Sequence, residues 1–188
     1  MDIKYKIQFH TDWHCGSGLA AGADVDALVV KDENGLPFIP GKTIKGLVRE
    51  AVEEIRGFDK KEIDDLFIKT FGYFENDKKE MYRGETFFTN ATLSKEETEA
   101  IISNGAARFM YRSISSTAIK EDGIAKENSL RKIQVTVPCI LTGEIHDIPD
   151  ESENEITNAL MYIKRLGQGR NRGLGRCTIT ITEKGGKR

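Results

Sequence analysis

The sequence predicts a ferredoxin-like α+β sheet carrying loop and hairpin insertions, and three stretches support that prediction. Ile3, Tyr5, Ile7 and Phe9 alternate with polar residues, the period of a half-buried strand. Ile44, Leu47, Val48, Ala51, Val52 and Ile55 recur at three- and four-residue spacings, which gathers them on one face of a helix. Ile156, Leu160, Ile163 and Leu166 set a second helix over 155–166, which leads through a glycine-rich loop to an alternating last strand at Cys177, Ile179 and Ile181. Strand, helix, strands, helix, strand is the chain order of a ferredoxin-like sheet.

The remaining elements follow from local chemistry. The first strand ends in a glycine-bearing loop from Thr11 to Gly18, and Val25 to Val30 reads as a short second extended run. Pro37 and Pro40 frame a turn that opens the first helix, leaving Lys42, Lys45 and Arg49 on the side away from the apolar stripe. Asp59 with Glu62 has the capping-box pattern for a shorter helix through Ile63, Leu66 and Phe67. Gly84 to Leu93 reads as a strand, and Ser94 with Glu97 repeats the capping pattern for a helix through Ile102. Phe109 to Asn128 mixes Arg, Ser, Thr and Gly without a sustained period. It reads as a long protruding loop or hairpin that enters a strand at Leu130 to Leu141.

Composition narrows the function classes. At 188 residues, 38% hydrophobic and 31% charged, the chain can bury a substantial core and is most simply one domain. It has no run of the about 18 apolar residues that a membrane helix needs, and its start lacks the signal-peptide pattern, so the expected compartment is the cytoplasm. Cys15, Cys139 and Cys177 lie far apart with no C-x-x-C, which argues against a disulfide framework and a zinc knuckle. His10, His14 and Cys15 find no fourth ligand at a convincing position. The net charge of −2 conceals a segregation: Asp147 to Glu155 is acidic, and the chain from Lys164 onward is dense in Lys and Arg.

Two glycine-bordered cationic segments carry the chemistry. One is Gly35-Leu-Pro-Phe-Ile-Pro-Gly-Lys-Thr-Ile-Lys-Gly-Leu-Val-Arg49, and the other is Gly167-Gln-Gly-Arg-Asn-Arg-Gly-Leu-Gly-Arg176. Small residues let the main chain approach a sugar-phosphate backbone, and the cations neutralise phosphates, which points to RNA or DNA over a small metabolite. Lys45, in the Pro-Gly-x-x-x-Lys-Gly pattern, is read as a phosphate contact near the helix start. For Lys42 and Arg49 a solvated helix face is an equal reading. Arg170 and Arg172 alternate with glycines and are read as gripping the backbone, whereas Arg176 is equally a structural residue. Trp13 belongs to the core, His10 to the first strand and His146 to the surface on this reading.

The order of several motifs resembles the RAMP superfamily, and within it the repeated backbone subunit of type III CRISPR effector complexes. The matching pieces are Thr11-Asp-Trp-His-Cys-Gly-Ser-Gly18, the Val25-Asp26 pair, the Lys31 to Gly46 stretch and the Gly167 to Gly175 loop. Thr70-Phe-Gly72, Gly84 to Leu93, and Ile114 to Arg131 with Thr117, Gly123-Ile-Ala125 and Leu130-Arg131 add to them. The likeness spans nearly the whole chain.

That resemblance implies a modified RRM-like palm that polymerises along a CRISPR guide RNA beside other type III subunits. A thumb-like insertion at about 109–130 would displace one guide base at intervals. Asp26 matches the aspartate that cuts bound single-stranded target RNA, with a divalent cation, Mg²⁺ first, on Asp26 itself. A lone aspartate suffices in principle because the 2′-hydroxyl of RNA is the nucleophile. Asp24 lies two residues away and is a second candidate acid. His14 matches an RNA-contacting histidine; Arg112, Ile114, Thr117 and Ile119 are the thumb groups expected to flank the duplex. A non-cleaving scaffold and a metal-independent processing endoribonuclease relying on His14 remain as alternatives.

Overall fold

The computed structural model describes residues 1–22, 25–57, 63–75 and 77–185. In chain order the elements are β1 (Asp2–Phe9), α1 (Gly41–Arg56), α2 (Asp65–Phe71), β2 (Tyr73–Glu75), β3 (Glu80–Tyr82), β4 (Phe87–Phe88) and α3 (Lys95–Ser103). They continue with β5 (Tyr111–Ser116), β6 (Arg131–Thr136), β7 (Ile140–His146), α4 (Glu153–Tyr162) and β8 (Cys177–Gly185). Short 3-10 turns occupy Ala107–Met110, Asp150–Ser152 and Arg170–Arg172.

The main sheet has the order β4-β7-β1-β8 with every pairing antiparallel. Taken with α1 after the first strand and α4 before the last, this is the ferredoxin-like arrangement that the sequence predicted. The alternation in β1 is realised literally. Ile3, Tyr5, Ile7 and Phe9 point into the core, and Lys4, Lys6 and Gln8 face outward. Val48 and Val52 of α1 and Ile156 and Leu160 of α4 complete that core, all of them fully buried. At roughly 1.5–3 kcal/mol for each large apolar side chain buried, this layer is the main source of stability.

One core contact is poorly satisfied. Tyr5 pairs with Gly143 of β7, and a Cβ at that position would run into the Tyr5 hydroxyl. The hydroxyl is buried without a hydrogen-bond partner, and burial pushes its pKa above the ordinary tyrosine value. Tyr5→Phe is therefore expected to leave stability unchanged or raise it by about 1 kcal/mol, since an unmet donor disappears. Gly143→Ala should cost about 1–3 kcal/mol by overpacking. Urea denaturation of the two variants checks both signs.

The insertions depart from the expected elements. Val25 to Val30 forms isolated bridges, Ala21 to Val25, Gly16 to Val29 and Ala27 to Ile133, and no strand. Asp59 and Glu62 lie outside the described residues; α2 begins later, where the Asp64 carboxylate accepts from the Phe67 amide at 2.7 Å. The Ser94–Glu97 capping box is present, each of its two bonds being 3.2 Å. The expected strand at 84–93 contracts to β4 plus bridges from Ala91 to Ile39 and Thr92 to Thr142. Pro138, which cannot donate to a ladder, lies between β6 and β7 where one strand was expected. Among the described residues, no helix is long and apolar enough to cross a membrane.

Arg56 ties α2 to α1 and α4. Its Nη2 donates to Glu155 Oε2 at 2.7 Å, its Nη1 donates to Asp64 Oδ2 at 2.9 Å, and its Nε also contacts Glu155. Hydrogen bonding to Glu155 is the main cause of a guanidinium pKa above its ordinary value. The last turn of α1, the cap of α2 and the first turn of α4 thus meet at one cation.

Candidate nucleic-acid interface

The loop after β1 and the hairpin β5–β6 form one unit. Tyr111 pairs with Thr136 and Ser116 with Arg131, so the hairpin spans the region expected to project. Its root is fixed to the loop by Trp13–Thr136 backbone hydrogen bonds of 3.0 and 2.8 Å. The Tyr111 hydroxyl donates to the Gly35 carbonyl at 2.7 Å, and the Lys31 ammonium sits 4.0 Å over the Tyr111 ring. Toward the tip, Ile119 and Leu130 are largely exposed, and Thr117 Oγ1 shares a 2.7 Å hydrogen bond with Ser129. Ile114 is half-buried opposite Ile133.

Asp26 is solvent-exposed at the edge of this unit. Its Oδ2 accepts from the Lys132 amide at 2.6 Å, and its own amide donates to the Lys132 carbonyl at 2.8 Å. The carboxylate is therefore held in place on the side of the hairpin and remains open to a ligand. No group of three or more His, Cys, Asp or Glu residues suited to a metal occurs among the described residues, and Asp24 is outside them. A single outward carboxylate fits a hard cation of the Mg²⁺ type, which keeps most of its waters and binds through one or two carboxylates plus phosphate oxygens.

His14 corrects an expectation. The ring is fully buried, with Nδ1 2.6 Å from the Gln134 carbonyl, so in this arrangement it cannot stack on a base or touch a phosphate. It serves instead as packing beneath the first loop. A Cβ on Gly16 would lie 3.1 Å from its Nε2, which explains the glycine. His146 is likewise more than a surface residue: its ring stacks on Phe87 and bridges Asp2 at 3.1 Å and Glu144 at 3.2 Å. Hydrogen bonding from His146 is the main cause of an Asp2 pKa below the usual carboxylate range.

Arg112 is engaged within the protein. Its Nε donates to Asp12 Oδ2 at 2.6 Å with Nη2 on the same oxygen, and the Asp12 side chain is only 4% exposed. The Arg112 side chain as a whole remains 64% exposed and lines a pocket of about 410 Å³ with His10, Thr11 and Gly173. Arg112 and the glycine-rich loop, 61 positions apart at Gly173, thus converge as an RNA-binding reading requires.

Within that loop, Gly167, Gly169, Gly173 and Gly175 all have positive φ, between 71° and 87°. The Gly175 amide donates to the Asp12 carbonyl at 2.7 Å and the Gln168 amide to the His14 carbonyl at 2.9 Å. Arg170 and Arg172 occupy the exposed 3-10 turn between them. Arg176 is partly structural, its amide donating to Thr11 Oγ1 at 3.0 Å.

On α1 the cations divide from the loop. Lys45 and Arg49 line a pocket toward β2–β3, whereas Leu47, Glu50, Ala51 and Glu54 line the groove facing Arg165, Arg170 and Asn171. The two cationic segments therefore flank α1 on opposite sides, and the sequence-level picture of one continuous cradle does not hold. Lys42 and Gly46 lie between the flanks and are exposed. A Cβ on Gly46 would meet nothing within 4 Å. Mid-helix glycine costs about 1 kcal/mol relative to alanine. Gly46→Ala is expected to raise stability by about that amount, read as a gain of a few degrees in Tm.

Residues 6–178 match the RAMP superfamily. No curated protein sequence matches the chain. In structure it is similar to a chain in the cryo-EM structure of apo Type III-B Cmr-beta, at TM-score 0.70 and 13% identity, covering 97% of this chain and 98% of the other. It is also similar to a chain of Type III-B Cmr-beta bound to cognate target RNA, at TM-score 0.72 and 12% identity, covering 96% of this chain and 97% of the other. With a family match that spans the sheet, the hairpin and the glycine-rich loop, this chain belongs to the RAMP superfamily.

Proposed function

We propose that this chain is a guide-RNA-binding backbone subunit of a type III CRISPR effector complex, repeated along the guide, and that Asp26 cuts the complementary target RNA. The single observation that supports cleavage is the placement of Asp26: exposed, aimed away from the core, and fixed by its Oδ2 to the amide of Lys132 at the side of the hairpin. The second carboxylate oxygen takes the proton of the target 2′-hydroxyl. The 2′-oxygen then attacks the adjacent phosphorus, the bond to the 5′-oxygen breaks, and that oxygen takes a proton from water, which leaves a 2′,3′-cyclic phosphate and a 5′-hydroxyl end. A divalent cation on Asp26 supplies charge neutralisation at the phosphate when bound. Arg112, Arg170 and Arg172 hold RNA phosphates on the side of the first loop and the glycine-rich loop, and Lys42, Lys45 and Arg49 hold them along α1. The burial of His14 weighs against the histidine-dependent processing alternative.

The test is made on the purified assembly. Its bound RNA is sequenced, and cuts in a complementary target are mapped with wild type, Asp26→Ala and Asp26→Asn, with magnesium and with chelator. The expected result is regularly spaced cuts that fall at least about 100-fold in both variants, the range for loss of a general base, with guide content unchanged. Asparagine can still accept from Lys132, so its failure would isolate the charge. Undiminished cutting in both variants would leave the chain a non-cleaving scaffold.

A further inference from the structure

The strongest unassigned feature is the β2–β3 hairpin with the flank of α1 beside it. Lys45, Arg49, Arg83, Phe74, Met81 and Tyr82 line a pocket of about 380 Å³. Phe74, Met81 and Tyr82 are 48%, 72% and 41% exposed, a concentration of apolar and aromatic surface on a small protein. The root of the hairpin is closely packed. A Cβ on Gly84 would lie 2.6 Å from backbone atoms of Thr70 and Phe71, and Gly72, at φ 75°, has the Tyr82 carbonyl 2.7 Å from where its Cβ would be. The aromatic side chains therefore stand on a rooted platform.

The charges decide what fits there. Glu53 is spent on Arg49 at 3.1 Å, Glu80 accepts from the Tyr82 hydroxyl at 2.8 Å, and Glu75 pairs with Lys78 at 3.1 Å. Lys45 and Arg83 have no such partner among the described residues. Burial, and then the nearby Arg49, depress the Lys45 pKa, and an anion placed beside it would offset both. Unpaired cations beside accessible rings suit an anionic ligand with a flat face more than an apolar protein surface.

We propose that this pocket holds one nucleotide of a single RNA strand, the base stacked on the hairpin side chains and the phosphate between Lys45 and Arg83. The proposal rests on the RNA-binding reading above and adds a contact on the side of α1 away from the glycine-rich loop.

The experiment uses the assembly carrying its RNA. Base reactivity of that RNA is probed chemically, and 4-thiouridine crosslinks are mapped to peptides, for wild type, Tyr82→Ala, Tyr82→Phe and Arg83→Ala. Expected are crosslinks within 73–83 and one protected base per subunit that becomes roughly tenfold more reactive in Tyr82→Ala, as loss of a stacking partner predicts. Tyr82→Phe should retain the protection. Arg83→Ala should release RNA at lower salt, with the salt slope reduced by about one. RNA-bearing wild type with no crosslink in 73–83 overturns the pocket alone. So does a Tyr82→Ala assembly that changes size with base reactivity intact, because the hairpin is then a protein contact. A wild-type assembly with no RNA overturns this proposal and the functional reading together.

Discussion

Gly175→Ala is expected to destabilise the protein by about 3–4 kcal/mol, the sum of a left-handed backbone penalty of about 1–2 and two lost hydrogen bonds of about 1 each. Gly175 has φ 71°, and a Cβ there would overlap the backbone carbonyl of Leu166. Relief requires the strands of the loop to part. That breaks the 2.8 Å bond from the Leu166 amide to the Gly175 carbonyl and the 2.7 Å bond from the Gly175 amide to Asp12. Gly173, at φ 86° but with nothing within 4 Å of its Cβ position, supplies the contrast. Gly173→Ala should cost only about 1 kcal/mol, the conformational part alone. Thermal unfolding separates the two, because roughly 2–4 °C accompanies each kcal/mol in a chain of this size. Equal shifts would show that the close approach to Leu166 is unimportant.

Arg112→Ala is expected to cost about 2–3 kcal/mol. Truncating one partner of a buried pair typically costs about 3–5 kcal/mol. Here the arginine side chain is 64% exposed, so water offsets part of the loss. The other oxygen of Asp12 has no partner, which leaves the carboxylate dependent on this arginine. Asp12→Asn in the Arg112→Ala background should recover about half the deficit, since a neutral amide is cheaper to bury than a charge. Arg112→Lys should fall between, because a point charge cannot reproduce the two-nitrogen grip. A double-mutant cycle from chemical denaturation measures the coupling, and a value near zero would sink the argument.

The legible parts of the fold were those where a local pattern also faced the core. The strand at Ile3 to Phe9 and the helix face from Ile44 to Val52 are short-range statements with which tertiary packing agreed, whereas Ile55 is exposed and the Ser94 cap is realised on a helix with no buried residue. The β2–β3 hairpin was missed because Tyr73 to Tyr82 has only three residues per strand and exposes both its faces, leaving no hydrophobic alternation to read. The helix at 155–166 stops at Tyr162, although Ile163 and Leu166 stay buried, so burial persisted where the helical backbone did not. Asp26 lies exposed beside the hairpin. His14 failed because its partner, the Gln134 carbonyl, lies 120 positions away, and a histidine beside glycines gives no local sign of being enclosed. The Asp12–Arg112 pair, 100 positions apart, is equally invisible in one dimension.

The doubled attachment of Asp26 to Lys132 makes the β5–β6 hairpin a lever for that carboxylate. The Gln134 amide adds a third tether, 2.9 Å to the Ala27 carbonyl, so the segment at 26–27 and the hairpin edge travel as one body. On the function proposed above, a strand that tilts the hairpin by its tip moves the acid by the same rotation, and a poorly seated duplex leaves it out of line with the phosphate.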